Sequence, residues 1–252
     1  MKRVKLIIAY DGTNYCGWQV QINGITIEEV INKHLSNLTG ESIQVIGASR
    51  TDSGVHAYGN VAVFDTASRI PGEKFSFALN QRLPDDIRIQ HSCEVAMDFH
   101  PRFCNSVKTY RYRILNRTFP DPMDRLYSHF VYMKLDIEKM KEACEYIIGE
   151  HDFKSFCSLR TQTLTTVRTV YSLDIKKEGD VISIFISGNG FLYNMVRIIV
   201  GTLIKVGLGV YPPAYVKEII DAKDRMKAGP KAEACGLALV GIDYEKMVDT
   251  NQ

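Results

Sequence analysis

The order of elements along this chain repeats, and that repetition constrains its fold more than any other feature. Val4, Leu6, Ile8 and Tyr10 alternate with Lys5, Ile7 and Ala9 as a strand, after which Asn23-Gly24 turns the chain toward a helix. Thr26 and Glu29 form a capping box ahead of Ile27, Val30, Ile31, Leu35 and Leu38 at helical spacing. Short strands over 42–47 and 60–64, a helix over 74–83 and a strand over 87–95 complete the first half. The second pass begins with a strand over 107–115 and a helix over 137–148, capped by Asp136 and ended by Gly149. A hairpin of 166–175 and 181–187 around Gly179-Asp180, an apolar helix over 192–206 and a last strand over 237–244 follow, with an added helix over 213–222. Each half predicts β-α-β-β-α-β, the ferredoxin-like split motif of an α+β protein, with helices on one face of an antiparallel sheet. The expected domains are 1–105 and 106–252, joined around a central antiparallel sheet with a cleft.

With 252 residues, 45% of them hydrophobic, the chain has enough apolar material for such cores. The longest apolar stretches, 191–210 and 4–9, are broken by Asn194, Arg197 and Lys205 or are too short to cross a bilayer. Asp11 follows the short apolar start directly, so no secretory signal is expected and the expected location is the cytoplasm. Six scattered cysteines without a CxxC pair predict reduced thiols, no zinc ribbon and no metal site. GKS and GKT are absent, as is a GxSxG elbow, and Gly188-Asn-Gly190 continues with Tyr193 where a dinucleotide fingerprint needs glycine. No nucleotide cofactor is expected.

A net charge of only +2 hides strong local asymmetry. Segments 99–120, 153–173 and 187–217 contain no acid. In the first of them Lys108, Tyr110, Tyr112 and Ile114 share one face of a strand while Thr109, Arg111 and Arg113 share the other. Two readings follow: one face stacks aromatics while the other meets phosphate, or the strand is core with a solvated basic edge. Between two strands, Gly47–Ala57 packs small residues around Arg50, Asp52 and His56. As a turn, it uses Asp52 and Ser53 to bond neighbouring backbone; as a site, Gly54 lets a ligand approach and Arg50 pairs with an ionised Asp52. Arg197 sits in an apolar helix, where a cation needs an anion or a route to solvent; Asp52 is a candidate anion. The loop Tyr10–Trp18 either reads a nucleotide or caps the core.

Four motifs, Tyr-Asp-Gly-Thr-Asn-Tyr-Cys-Gly-Trp-Gln from Tyr10, Arg-Thr-Asp-Ser-Gly-Val-His-Ala from Arg50, Thr-Tyr-Arg-Tyr from Thr109 and Phe-Leu-Tyr-Asn-Met-Val-Arg from Phe191, resemble the tRNA pseudouridine synthase A family. The likeness runs from the first strand to Gly236-Leu237. It implies the pseudouridine synthase fold and isomerisation of uridine in the tRNA anticodon stem-loop, typically at positions 38, 39 and 40, without metal or organic cofactor. By the same resemblance Asp52 is the nucleophile, Tyr110 stacks on the base, and Arg197 pairs with the aspartate. Arg50 helps flip the target nucleotide, and Lys108, Arg111, Arg113, Leu237 and the loop 160–168 bind substrate. A homodimer sharing each tRNA is also implied. Two departures stand out: Ser53 replaces the usual alanine, and Glu233 stands where proline is common. The competing expectations are a paralogue acting on other RNA uridines, a non-catalytic tandem RNA-binding protein, and a hydrolase pairing Asp52 with His56. No segment matches the [KR]G[FY][GA]FVx[FY] strand that an RNA-recognition domain would carry.

Overall fold

The computed structural model describes residues 1–158 and 164–244. They fall into two compact units, the first comprising Met1–Ser106 and the chain from Ala238 onward, the second Val107–Leu237.

In the first unit β1 (Lys2–Tyr10) leads into α1 (Ile27–Thr39), and the Thr26 side chain accepts the Glu29 amide hydrogen as its cap. β2 (Ile46–Gly47), β3 (His56–Thr66), α2 (Phe75–Asn80) and β4 (Ile87–Val95) follow. β1 lies between β3 and β4, antiparallel to both, and β2 pairs antiparallel with β3 at Val63 and Ala62. This is the strand order of the split motif. Val4, Leu6, Ile8 and Tyr10 bury one face of β1 as their alternation requires, whereas β3 is buried along nearly its whole length, on both faces, as a strand covered on both sides is. β2 is shorter than expected and β3 starts earlier, so His56 and Ala57 are strand residues. α2 is shorter too, preceded by a separate 3₁₀ turn over Gly72–Lys74.

The second unit contains β5 (Val107–Asn116), β6 (His129–Val131), α3 (Ile137–Glu145), β7 (Gly149–Asp152), β8 (Val167–Glu178), β9 (Val181–Gly188), α4 (Met195–Gly207) and α5 (Tyr215–Ala222). Its antiparallel sheet runs β5-β9-β8-β7, with β6 parallel to the end of β5. The Asp136 side chain caps α3 through the Lys139 amide, but the helix stops at Glu145 and Gly149, at φ +112°, opens β7 instead. α4 is buried along its whole length except at Lys205, with Arg197 and Thr202 among its buried residues. The final strand β10 (Leu237–Asp243) stands last in the second half by sequence order, yet Ala238 and Leu239 pair in parallel with His56 and Ala57 in the first unit. No helix among the described residues is long and apolar enough to cross a membrane.

Candidate active site

The loop between β2 and β3 presents Arg50 and Asp52, and its shape follows from three sets of contacts. Val55 N–H donates to the Asp52 carbonyl (3.1 Å) and Gly54 sits at φ +76°, a turn whose third residue requires positive φ. Beneath it, Tyr10 Oη and Thr51 Oγ1 lie 2.8 Å apart, and Asn60 Nδ2 donates to Tyr10 Oη (3.3 Å) and to the Ser49 carbonyl (3.0 Å). Asn60 is 0% exposed, so these bonds remove the cost of burying an amide and hold the backbone on both sides of Arg50. The third set comes from the Tyr10–Trp18 loop. Trp18 N–H donates to the Thr51 carbonyl (3.0 Å), Ser53 Oγ donates to the Tyr15 carbonyl (3.2 Å), and Gly12 N–H donates to His56 Nδ1 (3.1 Å).

That loop is therefore a brace for the Asp52 turn. Its glycines are needed for close approach: a Cβ at Gly12 would lie 2.0 Å from the Val55 carbonyl oxygen, and one at Gly17, which has φ +82°, 2.6 Å from that of Thr51. His56 Nδ1 also lies 3.1 Å from Asp11 Oδ1, but a nitrogen that accepts the Gly12 N–H has no proton there for the carboxylate. Thr13 instead supplies Asp11 with its N–H (3.0 Å) and O–H (2.6 Å). His56 thus serves the brace, against the hydrolase reading. Ser53 likewise gains a role from its hydroxyl. The expected Arg50–Asp52 pair does not form: the Arg50 side chain is exposed and makes no hydrogen bond or ion pair among the described residues, while Asp52 is half-buried.

In the second unit β5 holds Lys108, Tyr110, Arg111 and Arg113. Its aromatic face is mostly core: Tyr112 is 1% exposed and Ile114 fully buried, while Tyr110, 8% exposed, stands edge-on to Phe191 with centroids 5.3 Å apart. On the opposite face Arg113 donates to Asp124 (3.3 Å), so it reaches a phosphate only by sharing that acid. Leu237 is buried at the start of β10. Arg160, in the expected phosphate-binding loop, lies outside the described residues.

Arg197, 7% exposed on α4, is oriented by a strap over 229–233. Its Nε donates to the Ala232 carbonyl (2.7 Å), Ala232 N–H returns a bond to the Arg197 carbonyl (3.0 Å), and Gly229 N–H donates to Thr202 Oγ1 (2.9 Å). The strap is fixed at its far end by Tyr112, whose O–H donates to the Glu233 carbonyl (2.8 Å), and by His129, whose Nδ1 accepts the Glu233 N–H (3.2 Å). Proline at 233 would lack that N–H, so the departure at Glu233 supplies a bond.

Burial lowers the His129 imidazole below its ordinary value, opposed by the charge of Glu233. Protonation then favours the unfolded chain. The stabilisation is complete above about pH 6.5, where an unfolded histidine titrates, and is lost as pH falls from there through the lower folded value. His129→Asn, whose Oδ1 accepts in place of Nδ1, is expected to flatten the fall in melting temperature between about pH 6.5 and 5. His34, lowered chiefly by burial, contributes with the same sign in both proteins. Equal slopes for wild type and variant would remove His129 from this role.

The buried Asn60, His129 and the Ala232 carbonyl were not legible as site residues, although an asparagine in an apolar strand run is a signal that it has a dedicated partner. Among the described residues no three His, Cys, Asp or Glu side chains gather to hold a metal ion.

The tRNA pseudouridine synthase family model aligns with residues 6–104 and 143–245, and this chain belongs to that family, whose members are isomerases. Within it, the chain is 50% identical over 244 residues to tRNA pseudouridine synthase A 2 of Clostridium perfringens and likewise to tRNA pseudouridine synthase A of Acetivibrio thermocellus. It is 51% identical over 245 residues to tRNA pseudouridine synthase A of Ruminiclostridium cellulolyticum. Each alignment spans 97% of this chain and 100% of the relative.

Proposed function

We propose that this protein converts uridine to pseudouridine in the anticodon stem-loop of tRNA, typically at positions 38, 39 and 40, with Asp52 as the nucleophile. The observation that carries the reading is the Asp52 turn itself, braced from beneath by Tyr10, Thr51 and Asn60 and from the side by Gly12 and Gly17, with its carboxylate residue half-buried. Such bracing suits a group that must meet one atom of a substrate in one geometry. The uracil leaves its stack before reaction, and stacking on Tyr110 holds it while it is detached. Asp52 adds to C6 of the base, attacks C1′ of the ribose or takes a C2′ proton; in each route the N-glycosidic bond breaks, the base turns in place, C5 bonds to C1′ and gives up its proton, N1 takes one up, and the Asp52 carboxylate is regenerated. Arg197 keeps the carboxylate ionised, since an opposite charge favours the charged form. Arg50 enters the space of the displaced nucleotide. Lys108, Arg111 and Arg113, the last shared with Asp124, contact phosphates, with Leu237 against the substrate. The proposed working form is a homodimer in the cytoplasm, with neither metal nor organic cofactor.

The test is to incubate the protein with uridine-containing tRNA transcripts and map pseudouridine along them. Product at positions 38 to 40 is the expected result; product only at other uridines would make it a paralogue, and binding without product an RNA-binding protein. Arg197→Ala is expected to lower the rate at saturating tRNA by on the order of 10²-fold while changing affinity far less. Equal losses in both would reduce Arg197 to a binding role.

A further inference from the structure

The turn 100–104 is built more carefully than a connector into β5 requires. Phe103 N–H and Cys104 N–H both donate to the His100 carbonyl (3.2 and 3.0 Å), and Arg102 N–H donates to His100 Nδ1 (3.2 Å). Tyr244 Oη, from the end of the described chain, donates to the Pro101 carbonyl (2.7 Å) with its ring edge-on to Phe99. The turn holds two groups outward. The Phe103 ring is 79% exposed yet stacked on His100, with centroids 4.2 Å apart and planes at 24°. The exposed Arg102 side chain spans 55 positions of sequence to donate from Nη2 to the Gly47 carbonyl (2.9 Å), at the start of the Asp52 loop.

Among the described residues neither Arg102 nor Arg50 has a carboxylate within ion-pair distance. Although Arg102 is exposed overall, partial loss of water around its guanidinium first, and then the nearby Arg50 charge, pull it below its ordinary value. The acid whose field reaches Arg102, Glu28, has its carboxylate engaged by the Val20 N–H (2.9 Å). Arg102, fixed to the Gly47 carbonyl with no carboxylate at ion-pair distance and with the Arg50 charge near it, suits an anion, and the exposed Phe103 ring next to it in the chain, backed by His100, adds a flat apolar face. A phosphodiester with an attached unpaired base satisfies both, whereas an acidic peptide satisfies only the charge.

We propose that the turn 100–104 is an RNA-docking corner, with Arg102 seating a backbone phosphate of the tRNA beside the Asp52 loop and Phe103, backed by His100, stacking an unpaired base. This rests on tRNA being the substrate. The corner acts in binding and leaves the chemical step alone.

The experiment measures tRNA affinity over a range of salt, and the single-turnover rate at saturating tRNA, for the full chain and its variants. Arg102→Ala and Phe103→Ala are each expected to weaken binding about tenfold, with the saturating rate within about twofold of wild type. Phe103→Trp keeps the affinity and Phe103→Leu does not, which separates stacking from mere apolar contact. In Arg102→Ala the slope of log affinity against log salt falls by about 0.7 to 0.9, one phosphate's share. Wild-type affinity in both alanine variants, or leucine serving as well as tryptophan, overturns the proposal, as does a saturating rate that falls in step with affinity. Tight binding by a wild-type chain that yields no pseudouridine overturns the catalytic reading alone; the corner is then still judged by the affinities. A wild-type chain that binds no tRNA overturns both.

Discussion

Replacing Asp52 by asparagine is expected to abolish pseudouridine formation, by about 10⁴-fold or more, while leaving tRNA affinity within a few-fold of wild type. Asparagine keeps the shape of the side chain but cannot act as a carboxylate nucleophile or base, so any of the three routes stops at its first step. The turn should survive, because the bond that closes it uses the Asp52 backbone carbonyl, and Thr51, Asn60 and Tyr10 hold the preceding residues independently. A fall of this size corresponds to about 5.5 kcal/mol of lost transition-state stabilisation. Pseudouridine mapping under single turnover, with binding measured in parallel, checks both halves. Turnover above about one per cent of wild type would assign the nucleophile elsewhere, since no removal of an essential nucleophile leaves that much.

The second large effect is expected from Gly17→Ala, with Gly40→Ala as its control. Both glycines have positive φ, +82° and +74°, so both variants carry the left-handed penalty of about 1–2 kcal/mol. They differ in surroundings. A Cβ at Gly40 meets nothing within 4 Å, whereas at Gly17 it meets the Thr51 carbonyl oxygen at 2.6 Å and the Asp52 carbonyl carbon at 3.1 Å. Those are backbone atoms, which no rotamer change can move aside, so Gly17→Ala should cost a further ~1–3 kcal/mol as overpacking. The displaced atoms belong to the nucleophile's own peptide, so turnover should fall by at least tenfold in the protein that remains folded. Urea unfolding and single-turnover rates on both variants decide it. Equal destabilisation at the two sites would mean that the Tyr10–Trp18 loop is not a brace.

What was legible beforehand was mostly local. Thr26 and Asp136 mark their helix starts because a side-chain oxygen three residues from an amide closes a cap whatever lies around it. The alternation in β1 and β5 predicted which faces enter the core, and the motif around Asp52 predicted the family. On β5, Tyr112 belongs to the core and finds its partner in the Glu233 carbonyl 121 positions away, which the strand pattern does not specify. Arg113, expected to meet phosphate, is shared with Asp124, and the loop between Tyr10 and Trp18 is a brace because Gly12 and Gly17 meet the backbone of a segment some forty residues on.

The amino-acid sequence by itself determined the repeated order of strands and helices, the helix caps, the buried faces and the chemical identity of the Asp52 loop. All of these rest on interactions within a few residues or on periodicity. Only the tertiary structure decided that β10 pairs with His56 and Ala57, that His129 and Ala232 orient Arg197, and that Arg102 stands beside the Asp52 loop. Those are pairings between distant segments, and no local pattern specifies which distant carbonyl a donor will find; the packed backbone does.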